Sequence, residues 1–278
     1  MRKLIYAAGI AFKDFIGNST ANSLEEEFQW IAEAGFDGTF TSWKEGQMQS
    51  VAQMLEKAGL YYQSVHAPFN NVNVLWDDSE AGDAETDRLI QCLRECSENG
   101  VNLVVMHTGK TSSLLPPPKG VERFERIIKE AEKLGVVVAL ENTGTLVYLQ
   151  TLFANFRGNK NVGFCFDTGH ENGYTPDVDV LKEFGKPTCL HLNDNMGKIL
   201  EPAHWYDDAH MLPFDGTCNW EKITKDLNAL GYTGDVTLEV MGNNCPDKNT
   251  HDIYKNLSYK EFLARACEKA KKFRLMLD

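Results

Sequence analysis

Six apolar runs in the chain end on a residue able to bind a metal or move a proton. They close on His66, His107, Glu141, Asp167, His191 and Glu239. His170 follows Asp167 by three residues, and Asp208-Ala209-His210 lies farther on. Taken singly, a strand-end His is ordinarily a hydrogen-bonded structural residue, and a lone Glu caps a helix or pairs with Lys. Taken together, five of the seven histidines and four carboxylates would converge on one place. Four carboxylates without counter-charge repel one another and resist leaving water. A divalent cation removes that cost, and imidazole with carboxylate is the ligand set for Zn, Mn, Fe or Co. Magnesium fits less well, because it prefers oxygen alone. His204 and His251 fall in loops and carry no assignment.

Such convergence needs a scaffold that gathers strand ends. Helical-period segments end repeatedly in glycine, at Gly35, Gly59, Gly100, Gly135, Gly158, Gly185 and Gly231, where a left-handed cap residue is wanted. A β-branched or aromatic run follows each. With Lys3–Ile10 these runs predict eight strands: Phe36–Thr41, Leu60–His66, Val101–His107, Val136–Glu141, Val162–Asp167, Thr188–Asn193 and Asp235–Val240. Between them, apolar stripes recur at helical spacing: Leu24, Phe28 and Ile31; Val51, Met54, Leu55 and Ala58; Phe124, Ile127, Ile128, Ala131 and Leu134. Ser23 with Glu26 reads as a capping box. A last stripe, Phe262, Ala266, Ala270 and Phe273, covers the sheet after strand eight.

Eight strand–helix units in 278 residues match one α/β domain over 1–278, a (β/α)8 TIM barrel. A doubly wound sheet shares the alternation, but Ala7-Ala8-Gly9-Ile10 lacks the G-x-G-x-x-G turn such a fold would use. Connections after strands are long (108–119, 193–218, 242–257), and those after helices are short. In barrels the chemistry sits on the face with the long loops.

Composition narrows the partners. Lys and Arg number 28 against 40 Asp and Glu, for a net charge of −12, and 42% of residues are hydrophobic. That balance excludes a disordered or fibrous chain. It also disfavours a general binder of nucleic-acid backbone. No apolar run approaches the roughly 20 residues of a membrane span. Met1-Arg2-Lys3 and the stretch after it read as a first strand, since no small-residue cleavage pattern follows. Seven cysteines without C-x-x-C spacing predict no disulfide framework and a reducing cytoplasmic setting. Cys92 and Cys96, one turn apart, are expected to pack within a helix, as are Trp30 and Trp220. Trp43, Trp76 and Trp205 fall in loops of the long-loop face, where an indole can stack on a sugar or simply pack.

The motifs HAPF (66–69), HTG (107–109), ALEN (139–142), FDTGH (166–170), HLND (191–194), DAHMLPFDGTCNW (208–220) and TLEV (237–240) occur in that order. Together they resemble the xylose isomerase-like TIM-barrel superfamily over nearly the whole chain. Two branches compete. Resemblance to the sugar phosphate isomerase/epimerase branch implies a metal held by Glu141, Asp167, His191 and Glu239. It implies that the two glutamates exchange a proton with the carbon beside the substrate carbonyl, and that His170 contacts substrate. Resemblance to the endonuclease IV-type branch implies three zinc ions on His66, His107, Glu141, Asp167, His170, His191, Asp208, His210 and Glu239, all present here.

Cations separate the branches. The eight arginines fall in predicted helices, at a helix end or at the N-terminus, so no duplex-binding surface is expected. Lys13, Lys44, Lys110 and Lys198 could meet one phosphate or a sugar acid. Phe69 stands where the endonuclease branch inserts an aromatic into DNA, and the isomerase branch also tolerates one there. The expected function is therefore a metal-dependent sugar, sugar phosphate or cyclitol isomerase or epimerase in carbohydrate metabolism. Zn or Mn comes first, Co or Fe next, with no organic cofactor. Catalysis is expected from Glu141 and Glu239. His66, His107, His170, Trp43 and Lys198 are expected to meet a small carbohydrate. Self-association is allowed, and neither nucleic acid nor membrane is an expected partner. The alternatives are a three-zinc phosphodiesterase at abasic DNA sites and a non-catalytic sugar-binding barrel.

Overall fold

The computed structural model describes residues 1–109, 115–199 and 207–277. Lys110, His204 and Trp205 lie outside them. The strands are β1 (Leu4–Ala8), β2 (Gly38–Ser42), β3 (Tyr61–His66), β4 (Leu103–His107), β5 (Val137–Glu141), β6 (Val162–Asp167), β7 (Cys189–His191) and β8 (Val236–Leu238). The helices are α1 (Leu24–Ala34), α2 (Met48–Ala58), α3 (Glu80–Glu98), α4 (Pro118–Leu134), α5 (Leu146–Phe156), α6 (Thr168–Tyr174), α7 (Val180–Phe184), α8 (Trp220–Ala229) and α9 (Tyr259–Met276). The sheet order is β7-β6-β5-β4-β3-β2-β1-β8. Leu192, directly after β7, bridges Leu238 of β8 in parallel, and β1 pairs with β8 from Leu4↔Val236 to Tyr6↔Leu238. That order, with helices between parallel strands, is the (β/α)8 barrel the sequence predicts.

Contacts cluster into two compact units, one of 1–40, 53–62 and 166–278, the other of 41–52 and 63–165. In the first, α9 buries its whole apolar stripe, Phe262, Ala266, Ala270 and Phe273. Burial of each Phe there contributes about 1.5–3 kcal/mol. Ile5, Ala7 and Phe40 form a cluster of buried residues, with Ile10 packed against it. In the second, α4 buries Phe124, Ile127, Ile128 and Ala131, while Leu134 is half-buried.

All seven expected glycines have positive φ. Gly135 shows why: it ends α4 at φ 67 ψ 23 and returns its amide to Ala131 and Glu132. Gly185 differs, since its ψ of −152 lies outside the left-handed helical well. Ser23 caps α1 by accepting from the Glu26 amide, but the Glu26 carboxylate accepts from the Asn22 amide instead. The expected capping box is therefore only half formed. A complete one opens α9 at Ser258 and Glu261. All seven cysteines are buried and outside disulfides, Cys92 and Cys96 among them in α3. No helix among the described residues is long and apolar enough to cross a membrane.

Candidate metal centre

In the second unit, His66, His107 and Glu141 are the last residues of β3, β4 and β5. His107 pairs in register with Glu141, and His66 with Val105, two residues short of His107. Side chains alternate along a strand, so this register sends all three to one face. Glu141 is fully buried, its Oε2 3.3 Å from His66 Nε2 and 3.2 Å from His107 Nε2. His66 Nδ1 stands 2.7 Å from the Ala67 carbonyl, to which it donates its proton. His66 Nε2 thereby faces the Glu141 carboxylate. Imidazole nitrogens set this close to one carboxylate are a donor set that suits a divalent cation.

Phe69 stacks on the His107 ring at 4.6 Å and meets His66 edge-on at 5.2 Å. The loop beyond it is fixed by Arg123 of α4, which is 1% exposed. Its guanidinium donates to the carbonyls of Val74, Leu75, Asp77 and Ser79. Trp43 is buried, its indole N–H given to Glu95 Oε2 at 3.0 Å. Trp76 packs, donating to the Thr108 carbonyl at 2.7 Å with its ring against Tyr148 and Phe124.

In the first unit, Asp167 ends β6 and caps α6, Oδ1 accepting from the His170 amide at 2.6 Å. Its Oδ2 accepts from Asn193 Nδ2 at 2.8 Å. The strand passes directly into the helix, which places His170 three residues on. Gly169 makes that turn possible, since a Cβ there would stand 1.8 Å from Asn193 Oδ1. The Leu192↔Leu238 bridge puts His191 and Glu239 on one face, and His191 Nδ1 lies 3.0 Å from Glu239 Oε2. Phe40 stacks flat on His191 at 4.8 Å. One ligand atom each from Asp167, His191 and Glu239 lie within 4.8 Å of one another.

Beside them is a second group, His170, Asp208 and His210, also within 4.8 Å. Asp208 Oδ2 meets His170 Nε2 at 3.2 Å and His210 Nε2 at 3.1 Å. His210 Nδ1 donates to the Glu239 carbonyl at 2.9 Å. Burial works against the Asp208 charge, but His210 and His170 outweigh it and hold the carboxyl well below its usual range. Burial likewise opposes charging His210, yet Asp208 overrides it and pushes the imidazole up to about 10. Asp208 Oδ1 is buried without a hydrogen-bond partner. A carboxylate with one oxygen shared by two imidazoles and the other left without a partner is chemically ready for a divalent cation.

Lys198 is half-buried in the loop after β7. Sequence reasoning missed the residues that hold the candidate ligands: Asn193 on Asp167, Phe40 on His191, and Tyr174, whose hydroxyl donates to Asp208 Oδ2 at 3.4 Å. Burial, with Asp208 beside it, pushes the Tyr174 hydroxyl up, so it stays a donor. In the sequence Asn193 stands only as the polar last residue of the run Thr188–Asn193, with nothing to tie it to Asp167.

A family model described as xylose isomerase-like TIM barrel matches residues 28–259. An uncharacterised protein of Methanocaldococcus jannaschii is 26% identical, over 94% of this chain and 90% of that one. A probable endonuclease 4 of Natranaerobius thermophilus is 25% identical, over 74% and 75%. The solved structure of an L-ribulose 3-epimerase superposes with a TM-score of 0.72 at 17% identity, over 99% and 96%. With the family match spanning most of the strand–helix units described above, the chain belongs to the xylose isomerase-like TIM barrels.

Proposed function

We propose that the chain is a metal-dependent sugar isomerase or epimerase, with one divalent ion held by Glu141, Asp167, His191 and Glu239. The observation that carries this reading is the gathering of Asp167, His191 and Glu239 within 4.8 Å. Register supports adding Glu141, which pairs with Cys165, two residues before Asp167 on the same strand. Period-two alternation gives the two carboxylates one face. The set suits Zn or Mn, then Co or Fe.

When bound, such an ion supplies Lewis-acid polarisation of a substrate carbonyl. The protein's own groups then move the proton. One of Glu141 and Glu239 takes it from the carbon beside the carbonyl, and the same or the opposite glutamate returns it. Return to the same carbon from the opposite face is epimerisation, and return at the adjacent carbon is aldose–ketose isomerisation. His170 orients a hydroxyl, while His66, His107, Trp43 and Lys198 meet the rest of a small carbohydrate. The similarity to an L-ribulose 3-epimerase favours a ketose, with phosphorylated sugars and cyclitols as the other candidates. Buried cysteines outside disulfides favour a reducing compartment.

A second reading rests on the similarity to a probable endonuclease 4 and on the second ligand group. It is a three-zinc phosphodiesterase at abasic DNA sites, with His66, His107, His170, Asp208 and His210 as added ligands. Metal content of protein purified without chelators separates the two. About one ion per chain is expected from a single four-residue site. Three zinc ions with nicking of an abasic oligonucleotide at low salt would replace the isomerase reading.

A further inference from the structure

Asp194 closes the HLND motif yet belongs to neither ligand group. Its Oδ1 accepts from the amides of Asn195 and Cys218 at 2.9 and 3.0 Å. Its Oδ2 accepts from the Phe214 amide at 3.0 Å and the Trp220 indole at 2.8 Å. The residue is fully buried, and its backbone exchanges two hydrogen bonds with Met211, at 2.9 and 2.7 Å. A carboxylate accepting four hydrogen bonds has no lone pair left to direct at a metal.

The segment it grips starts just past Asp208 and His210, and its backbone is unusual. His210 and Phe214, on either side of Met211, have φ of 49 and 70. Residues with a Cβ keep such values only where their surroundings over-determine them. Gly216 allows the grip to be close, since a Cβ there would stand 2.4 Å from Asp194 Oδ1 and 2.2 Å from the Asn195 carbonyl. From the other side, Tyr254 and Lys269 hold Asp215 at 2.9 and 2.7 Å, and the Leu212 amide donates to the Tyr254 hydroxyl at 3.0 Å.

We propose that Asp194 is a positioning residue for the His170–Asp208–His210 group. Its accepted hydrogen bonds hold 208–218 in the conformation that turns His210 and Asp208 toward His170, and so set the affinity of that group for a divalent ion. The inference rests on this second group holding a divalent ion in addition to the one at Glu141, Asp167, His191 and Glu239.

Zinc calorimetry on the chelator-stripped full chain, with melting and histidine ring NMR of the metal-free form, tests it. Asp194→Asn turns an amide NH2 toward N–H donors and is expected to weaken zinc binding about 10–100-fold, the usual effect of losing a residue that orients ligands. Gly216→Ala pushes the same segment away and has the same effect. The double variant is no weaker than the worse single one. Ile128→Ala, a core truncation in α4, lowers the melting temperature but leaves zinc affinity and the His210 ring resonances in place. Should Asp194→Asn not fold, Trp220→Phe, which removes one of the four donors, and Gly216→Ala carry the test. Zinc affinity and His210 resonances unchanged from wild type, or changed equally by Ile128→Ala, would overturn the proposal. Wild-type protein that binds no divalent ion overturns it together with the metal reading. Wild-type protein that binds metal but exchanges no substrate proton contradicts only the isomerase reading.

Discussion

Asp167 has two tasks for one carboxylate. Oδ1 caps the helix that carries His170, and Oδ2 is steadied by Asn193. Asn193→Ala removes the second support while leaving the cap, so zinc affinity measured by chelator competition should fall about 10–100-fold without loss of fold. Glu141→Gln is the sharper substitution, because it keeps volume and polarity but cannot take a proton. Turnover should drop about 10²–10⁴-fold with metal still bound. At this scale the sequence was informative about groups that end apolar runs, because position on a strand fixes both the face and the end at which a side chain emerges. It was uninformative about their supports. Phe40 on His191 joins residues 151 positions apart, and no local pattern encodes such a pair.

Among elements, the strand–glycine–helix rhythm was legible because helix C-caps and apolar periodicity are local signals. Boundaries shifted by a residue or two where strands fray, as at β7 and β8. The half-formed capping box at Ser23 shows the limit of a two-residue motif, since the Asn22 amide competes for Glu26. Ser258→Ala, which breaks the complete box, should cost about 1 kcal/mol, read as a lower melting temperature. A larger effect sits where α1, α9 and the loop after β1 meet. Buried Glu27 accepts from the Gly9 amide at 2.8 Å and the Tyr259 hydroxyl at 2.7 Å, and Tyr259 in turn contacts the Tyr6 hydroxyl at 3.1 Å. Burial pushes Glu27 up to about 7, with Tyr259, Gly9 and Lys13 opposing. The folded state therefore holds this proton more tightly than the unfolded chain does. Its contribution is fully present below about pH 4.5 and is lost as pH rises through 7, on the order of 3 kcal/mol in all. Glu27→Gln should flatten the stability profile across that window in urea titrations at stepped pH.

The whole molecule carries a charge of −12, which bears less on partners than the placement of its cations does. Arg123 is buried against loop carbonyls, Arg94 and Arg126 pair with Glu130, Asp83 and Asp87, and Arg2 holds the carbonyls of Tyr232 and Leu277. Guanidiniums so engaged are poorly disposed to neutralise a duplex backbone. A single 278-residue domain, as the sequence suggests, should unfold in one transition, with tryptophan fluorescence and far-UV circular dichroism coincident. Separate transitions would divide the chain along the two compact units. The proposed chemistry is proton transfer beside a carbonyl. NMR in deuterated water, with manganese- or zinc-loaded protein and a panel of ketoses, cyclitol ketones and hydroxypyruvate, tests it most directly. Deuterium is expected at the carbon next to the carbonyl of at least one of these, and Glu141→Gln abolishes it. Metal-loaded protein that leaves every one of them undeuterated would contradict that chemistry.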